Sequence, residues 1–282
     1  RMFGCMFSPQ EGDKKHATMH NRATSRKKQR RFFMLSSQRK QQILAILAEE
    51  KQVMSSELSQ RFSVSEDSIR RDLRELAAEG LLQRVHGGAL PVSAAVAPFE
   101  TRKNVQTGSK QLIAQKAVRL IQPGQVVIID GGTTTEAMVR QLPADLAFTA
   151  VTHSPSVAVA LVDSPQVEVI MLGGLLYRHS VVAVGAAVLE AIARINADLF
   201  FMGVTGVHKN AGLTTGDYEE AGIKRALAAR ASETVVMVSQ EKMNSASAFA
   251  IGDLTLASTL VVDGEPDAEM KRLLAQKQIT VI

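Results

Sequence analysis

Between Ser37 and Glu79 the apolar residues recur every three or four positions, in three runs separated by polar breaks. Ile43, Leu44, Ile46 and Leu47 mark the inner face of a first helix, with Gln and Lys opposite. Val53-Met54-Ser55-Ser56 breaks that run, and Ser55 or Ser56 is placed to cap a second helix, Glu57 to Phe62. Leu58 and Phe62 face inward on it. Ser63-Val64-Ser65 is then a tight turn, and Ser65 is the expected N-cap of a third helix ending near Glu79, where Gly80 stops it. Two helices joined by a three-residue turn predict a helix-turn-helix.

On a helical period, Ile69, Leu73 and Leu76 share one face of the third helix. Asp67, Arg71, Arg74 and Glu75 fall opposite, flanked by Ser68 and Arg70. Arg71 and Arg74 therefore stand one turn apart on the exposed face, spaced to reach guanine edges or phosphates in a major groove. The alternative is a solvated face of Arg–Glu pairs. The helix before and the hairpin after favour DNA. Leu81-Leu82-Gln83-Arg84-Val85 alternates as a strand, His86-Gly87-Gly88 turns, and Ala89-Leu90 returns, which makes a small wing. Arg84 and His86 are expected along the DNA backbone or in the minor groove. The candidate DNA-contacting residues are Ser65, Asp67, Ser68, Arg70, Arg71, Arg74, Arg84 and His86. His86 has no second His or acid at ligand spacing, so no metal site is expected.

Pro91 to Pro98 is small and Pro-flanked and reads as a linker, extending over 91–109. An amphipathic helix is expected over Lys110–Ile121. The apolar run Val126–Ile129 then ends in Asp130-Gly131-Gly132-Thr133-Thr134-Thr135, with a helix from Glu136 to Leu142. The unit repeats. Strand Leu146–Val151 ends in Thr152-His153-Ser154 before helix Pro155–Leu161, and strand Val167–Leu172 ends in Gly173-Gly174. Further strands are expected at Leu199–Val204, Thr234–Val238 and Thr259–Val262, and helices at Ala186–Ile195, Tyr218–Ala231 and Ala268–Lys277. Continuous apolar strands alternating with helices predict an α/β fold with a parallel sheet covered on both faces. Ligands bind such sheets outside the carboxyl ends of the strands. Asp130, Thr133, Thr134, Thr152, His153, Gly173 and Gly174 all sit there. The Gly/Thr turn entering a helix presents N–H groups to an anion. It is neither a Walker A sequence nor G-x-G-x-x-G, so no nucleotide cofactor is expected, and a small phosphorylated ligand is.

Charge changes little. The net +5 resides in the tail: residues 1–34 hold nine Lys/Arg against two acids, residues 35–91 eight of each, and residues 92–282 sixteen against eighteen. The tail, residues 1–33, reads as a disordered basic extension or as translated sequence upstream of the true start, the alternative being an arm that grips phosphates. Cys5 is the only cysteine, which excludes from the body a disulfide framework, a thiolate metal site and a Cys nucleophile. No uninterrupted apolar stretch suits a membrane span and no secretory signal is read, so a cytoplasmic location is expected.

Ser65-Glu66-Asp67-Ser68-Ile69-Arg70-Arg71-Asp72-Leu73, followed by Glu79-Gly80 and Arg84-Val85-His86-Gly87-Gly88-Ala89, resembles the signature of the DeoR family of bacterial transcriptional regulators, of the DeoR/GlpR type. The resemblance runs from near Met34 to the C-terminus. It implies a winged helix-turn-helix over 34–90 and, over 110–282, an effector-sensing, Rossmann-like domain similar to sugar-phosphate isomerases. Asp130, Gly132, Thr133 and Thr134 match the family's D-x-G-T-T phosphate loop. Thr152 and Ser154 match its T-N-S segment, Gly173-Gly174 its G-G pair, and Gly185 the glycine that follows. Glu220, Ala221 and Lys224 match an E-A-x-x-K helix, and Lys242 the lysine of D-x-S-K. With Thr135 and His153, these complete the expected effector-binding set. Gly131 replaces a common Ser, His153 an Asn, and Ser239 the Asp that precedes the lysine, which leaves Lys242 divided between a ligand role and a solvated loop.

The sequence thus predicts a DNA-binding regulator and not an enzyme: a repressor of a carbohydrate catabolic operon, released from a double-stranded operator by a phosphorylated sugar. Paired half-sites imply a homo-oligomer, dimer or tetramer. The alternatives are a sugar-phosphate isomerase or deaminase with an appended DNA-binding module, using Asp130 with Glu219, Glu220, Lys224 or His153, and a general nucleoid protein acting through its tail.

Overall fold

The structure, a computed structural model, describes residues 34–50, 52–85, 87–92 and 99–282. The tail, His86 and most of the Pro91–Pro98 stretch lie outside these.

Helix α1 (Ser36–Glu50) buries Ile43 and Leu47 as the pattern predicts, together with a cation, Arg39. Strand β1 (Val53–Met54) runs directly into α2 (Ser55–Phe62), so Met54 occupies the N-cap position and neither Ser55 nor Ser56 caps the helix. The expected break is a strand because Val53 and Met54 pair antiparallel with Ala89 and Gly88. Gly88 is needed there, since a Cβ on it would lie 2.0 Å from the Val53 carbonyl oxygen. Helix α3 (Glu66–Ala78) starts on Ser65, whose hydroxyl accepts from the Ser68 N–H at 3.3 Å, and Gly80 ends it with φ +73°. Strands β2 (Gln83–Val85) and β3 (Gly88–Leu90) form the wing, so the small sheet runs β1-β3-β2. Its core is Ile43, Leu47, Leu58, Ile69, Leu73 and Leu76 with Val53, Leu82 and Ala89. Each large side chain of this set contributes about 1.5–3 kcal/mol by leaving water.

The larger module opens with α4 (Phe99–Lys103), a short helix within the stretch expected as linker, and α5 (Thr107–Val118). Strand β4 (Val126–Ile129) has the bounds the sequence predicts, and α6 (Thr133–Val139) follows. That helix begins at Thr133 rather than Glu136, so the threonines form its first turn. Next come β5 (Phe148–Thr152), α7 (Pro155–Ala160), β6 (Val167–Met171), the hairpin β7 (Leu175–Tyr177) and β8 (Val182–Val184), and α8 (Ala186–Ile192). Strand β9 (Ala197–Gly203) returns to the sheet before β10 (Gly206–His208), β11 (Gly212–Thr215) and α9 (Tyr218–Ala228). The chain ends through β12 (Ala231–Val238), β13 (Phe249–Gly252), β14 (Thr259–Val262), α10 (Ala268–Gln276) and β15 (Thr280–Val281).

Seven strands form one sheet, ordered β15-β14-β12-β9-β4-β5-β6, and every pair in it is parallel. Ile128, Phe200 and Val236 enter the core on one face, and Val127, Ile129, Phe201 and Val235 the core on the other. Apolar groups are wanted on both faces, which is why these strands read as continuous runs. The hairpin and an antiparallel β10-β11-β13 sheet were not foreseen; strands of three or four residues give too little alternation to stand out.

The strand order places the site. From β4 the chain steps outward through β5 to β6, then crosses back to lay β9 on the other side of β4. The carboxyl ends of β4 and β9 therefore diverge at a topological switch point, where a crevice opens in such sheets.

Candidate functional site

On the first module, Arg71 and Arg74 are exposed on α3, as are Asp67 and Arg70. All four acids of this helix are engaged. Arg70 donates to Glu66 at 2.8 Å and to Asp67 at 3.2 Å, Lys40 reaches Glu75 at 2.5 Å, and Asp72 is buried. The Arg39 guanidinium donates to both Asp72 oxygens, at 2.5 and 3.2 Å, and the Ser36 hydroxyl adds a third bond at 3.0 Å. That cluster ties α1 to the inner side of α3. Arg71, Arg74 and the exposed Arg84 have no ion pair among the described residues. Ser65 and Ser68 bond to each other at the N-terminus of α3. His86 lies outside the described residues.

On the second module, a cleft opens at the switch point. Gly131 to Thr135 after β4 face Gly203, Val204 and Thr205 at the end of β9, and Glu220 and Lys224 of α9 line the wall. Thr135 spends its hydroxyl on the Gly132 carbonyl at 2.7 Å, while those of Thr133 and Thr134 have no such internal acceptor among the described residues. Asp130 lies beneath, fully buried. Its Oδ1 accepts from Gly131 N–H at 2.8 Å, and its Oδ2 from Gly203 N–H at 2.9 Å and from the Lys224 ammonium, which also donates to the Gly203 carbonyl at 3.0 Å. Asp130 thus ties the ends of β4 and β9 together and sets Lys224 in the wall between them.

Lys242 joins the cleft from a turn after β12, so the missing Asp at 239 does not displace it. Burial pushes its ammonium down to about 8. Burial also raises the Glu220 carboxyl, against the pull of Lys224, and Ser180 donates to this carboxyl at 3.0 Å.

Several expected residues do not line the cleft. Thr152 donates to the Ile129 carbonyl at 2.7 Å and accepts from Ser154 N–H at 3.1 Å, and Ser154 donates to the Val181 carbonyl at 3.1 Å. They hold the end of β5 against its neighbours. His153 is buried, 3.6 Å from Asp130, and loss of solvent drives its imidazole down to about 4, so it is neutral near pH 7. Gly173 and Gly174 lead into β7. Gly131 does line the cleft, and a Cβ there would lie 2.1 Å from Val182 Cγ1, which explains the absence of serine.

Sequence reasoning missed Arg102, Tyr177, His179, Ser180, Thr205 and Thr215 on the cleft wall. The hairpin and α4, which carried no signal of their own, bring in the first four, and β11 ends in Thr215; Thr205 alone could have been found, since it directly follows the expected strand Leu199–Val204.

A family model of the DeoR C terminal sensor domain matches residues 105–264, and one of the DeoR-like helix-turn-helix domain matches residues 39–94. The chain belongs to the DeoR family. Among its relatives, the HTH-type transcriptional regulator GlpR of Haloferax volcanii is 35% identical, covering 80% of this chain and 89% of its own. The glycerol-3-phosphate regulon repressor of Escherichia coli K12 is 31% identical, covering 84% of this chain and 94% of its own. Ribose 5-phosphate isomerase A from Methanocaldococcus jannaschii shares 18% identity over 48% of this chain and 53% of its own, with a TM-score of 0.36. This DeoR-family protein thus joins a helix-turn-helix module to a parallel-sheet sensor domain. Among its described residues no helix is long and apolar enough to cross a membrane.

Proposed function

We propose that the chain is a transcriptional repressor whose grip on a double-stranded DNA operator is released by a phosphorylated sugar or polyol. The observation that carries this is the state of α3: its four acids are all engaged, leaving Arg71 and Arg74 one turn apart and unneutralised. A solvated face would pair them. In a major groove they donate to guanine edges or phosphates, with Arg84 of the wing along the backbone or in the minor groove.

The effector reading rests on the cleft. Thr133 and Thr134 with the N–H groups of their turn offer donors, and Lys224 and Lys242 supply positive charge. That set suits a phosphomonoester, with Glu220 and Ser180 left for hydroxyl groups. A relative named for the glycerol-3-phosphate regulon makes glycerol 3-phosphate the first compound to try. Asp130 has both oxygens committed beneath the turn, which favours a sensor over an enzyme that needs a free carboxylate base. The reading includes a cytoplasmic homo-oligomer, dimer or tetramer, matched to paired half-sites.

The test is selection of DNA from a random pool by the purified protein, followed by titration of the bound complex with glycerol 3-phosphate, ribose 5-phosphate and fructose 6-phosphate. A recurring sequence, released by one of these and not by the parent alcohol, is expected. Enrichment of no sequence would sink the regulator reading, and turnover of a sugar phosphate would sink the sensor reading.

A further inference from the structure

One cation of the cleft comes from outside both family-matched stretches. Arg102 belongs to α4, the helix between the DNA-binding module and the sheet, and it falls between the two family-matched stretches. Its Nε is buried without a hydrogen-bond partner, and burial pushes its guanidinium below the usual value, partly offset by Glu220 and Asp130. A guanidinium whose buried Nε–H has no partner can donate through Nε and a terminal nitrogen to two oxygens of a phosphate.

Helix α4 is held from both ends. Phe99 is 2% exposed, and its N–H donates at 3.0 Å to the carbonyl of His179, another cleft residue. Lys110 donates to the Arg102 carbonyl. On the module's other side of the junction, Val92 bridges Ala246, in the loop that follows Lys242. Two of the cleft's cations, Arg102 and Lys242, therefore lie within a few residues of Phe99 and Ala246, the points at which the sensor domain holds the chain on either side of residues 93–98.

We propose that Arg102 is both a ligand of the effector's phosphate and the link by which binding is transmitted. Drawing the guanidinium onto the anion fixes α4 against the cleft and resets the junction to the helix-turn-helix. This rests on the cleft being the effector site. A ligand shifts such an equilibrium only through contacts that differ between the two states, and a contact carried by the junction is one.

The test uses the full chain, with Arg102→Gln and Arg102→Lys, probed with glycerol 3-phosphate, ribose 5-phosphate and fructose 6-phosphate. In the wild type, the probe that binds should slow amide exchange over Phe99–Lys103 and release the selected DNA. Arg102→Gln should bind that probe at least tenfold more weakly, keep DNA affinity within about twofold, and remain on DNA even at saturating probe. Its ligand-free melting temperature should fall only slightly, because Nε has no internal hydrogen bond to lose and the one contact removed is the guanidinium over the Phe99 ring, 5.8 Å from its centroid. Arg102→Lys, which keeps charge but loses the fork, should show a smaller loss and stands in should the Gln variant not fold. Wild-type probe binding by either variant would overturn the proposal, and so would weak binding with normal release at saturation. If no probe binds the wild type, the effector reading itself fails, an outcome distinct from loss confined to the variants.

Discussion

The Lys224 ammonium on α9 donates to Oδ2 of Asp130 at the end of β4, 94 residues away in the chain, with both side chains out of solvent. The pair is completed by the N–H groups of Gly131 and Gly203, so a buried charge is matched on every side. Such a cluster is costly to break from one partner, because the other is left charged and unpaired.

Asp130→Asn is therefore expected to lower stability by about 3–5 kcal/mol. Urea unfolding would measure it. Replacing both residues, with Asp130→Leu and Lys224→Met, should recover a large part of the loss; recovery of none would mean the cluster is not the cause.

Arg71→Ala should leave the melting temperature within the range of a surface change, about 0.5 kcal/mol, while costing about 1–3 kcal/mol of operator affinity and relaxing preference at one base pair. A uniform loss over all DNA sequences would assign Arg71 to phosphates instead. Asp72→Ala should do the reverse. It orphans the buried Arg39 and costs stability first, as a thermal melt of the same two variants would reveal.

Thr133→Ala combined with Thr134→Ala should keep DNA binding and blunt release by the phosphorylated ligand, because both residues line the cleft with no internal acceptor for their hydroxyls among the described residues, while the Thr135 hydroxyl is bonded to the Gly132 carbonyl. Mobility shift with and without ligand reads this directly. Loss of DNA binding in that double variant would make the turn structural.

His153 gives a pH dependence. Its folded value of about 4 lies below the ordinary imidazole value of 6.5, so the unfolded chain binds the proton more readily. The native state keeps its full advantage above pH 6.5 and loses it as pH falls from 6.5 through 4, by about 3 kcal/mol in all. His153→Asn should flatten that slope in melts taken across the window. An unchanged slope would place the acid sensitivity elsewhere.

Burial also holds the Lys242 ammonium near 8. Ligand affinity, measured by calorimetry in the protein without DNA, should weaken as pH rises through that value and should lose this step in Lys242→Met.

How much of this was legible depends on how far apart the cooperating residues lie. The Ser65 cap, the buried stripe of α3 and the exposure of Arg71 and Arg74 follow from spacing within one helix, and all were readable. The bounds of β4 and the Asp130–Thr134 turn were readable too, since an apolar run, glycines and threonines are local signals. Thr152, His153 and Ser154 were misplaced onto the cleft because they end a neighbouring strand. Only the hydrogen bonds of Thr152 and Ser154 to Ile129 and Val181 show that they hold the sheet together. Arg102 carried no signal, as nothing in five residues of a short helix says where its side chain ends.

The chain by itself determined a helix-turn-helix with two outward arginines, and a parallel sheet with a glycine–threonine turn at the end of one strand. Those outcomes rest on periodicity and on what single residues permit the backbone. Tertiary structure alone decided which strand lies beside β4, and so which ends open the cleft. It also decided that α3's acids are engaged elsewhere, leaving Arg71 and Arg74 unneutralised, and that the short helix α4 puts a cation in the cleft. Strand order and ion pairing are set by contacts between residues tens of positions apart, and no local pattern encodes which of those contacts form.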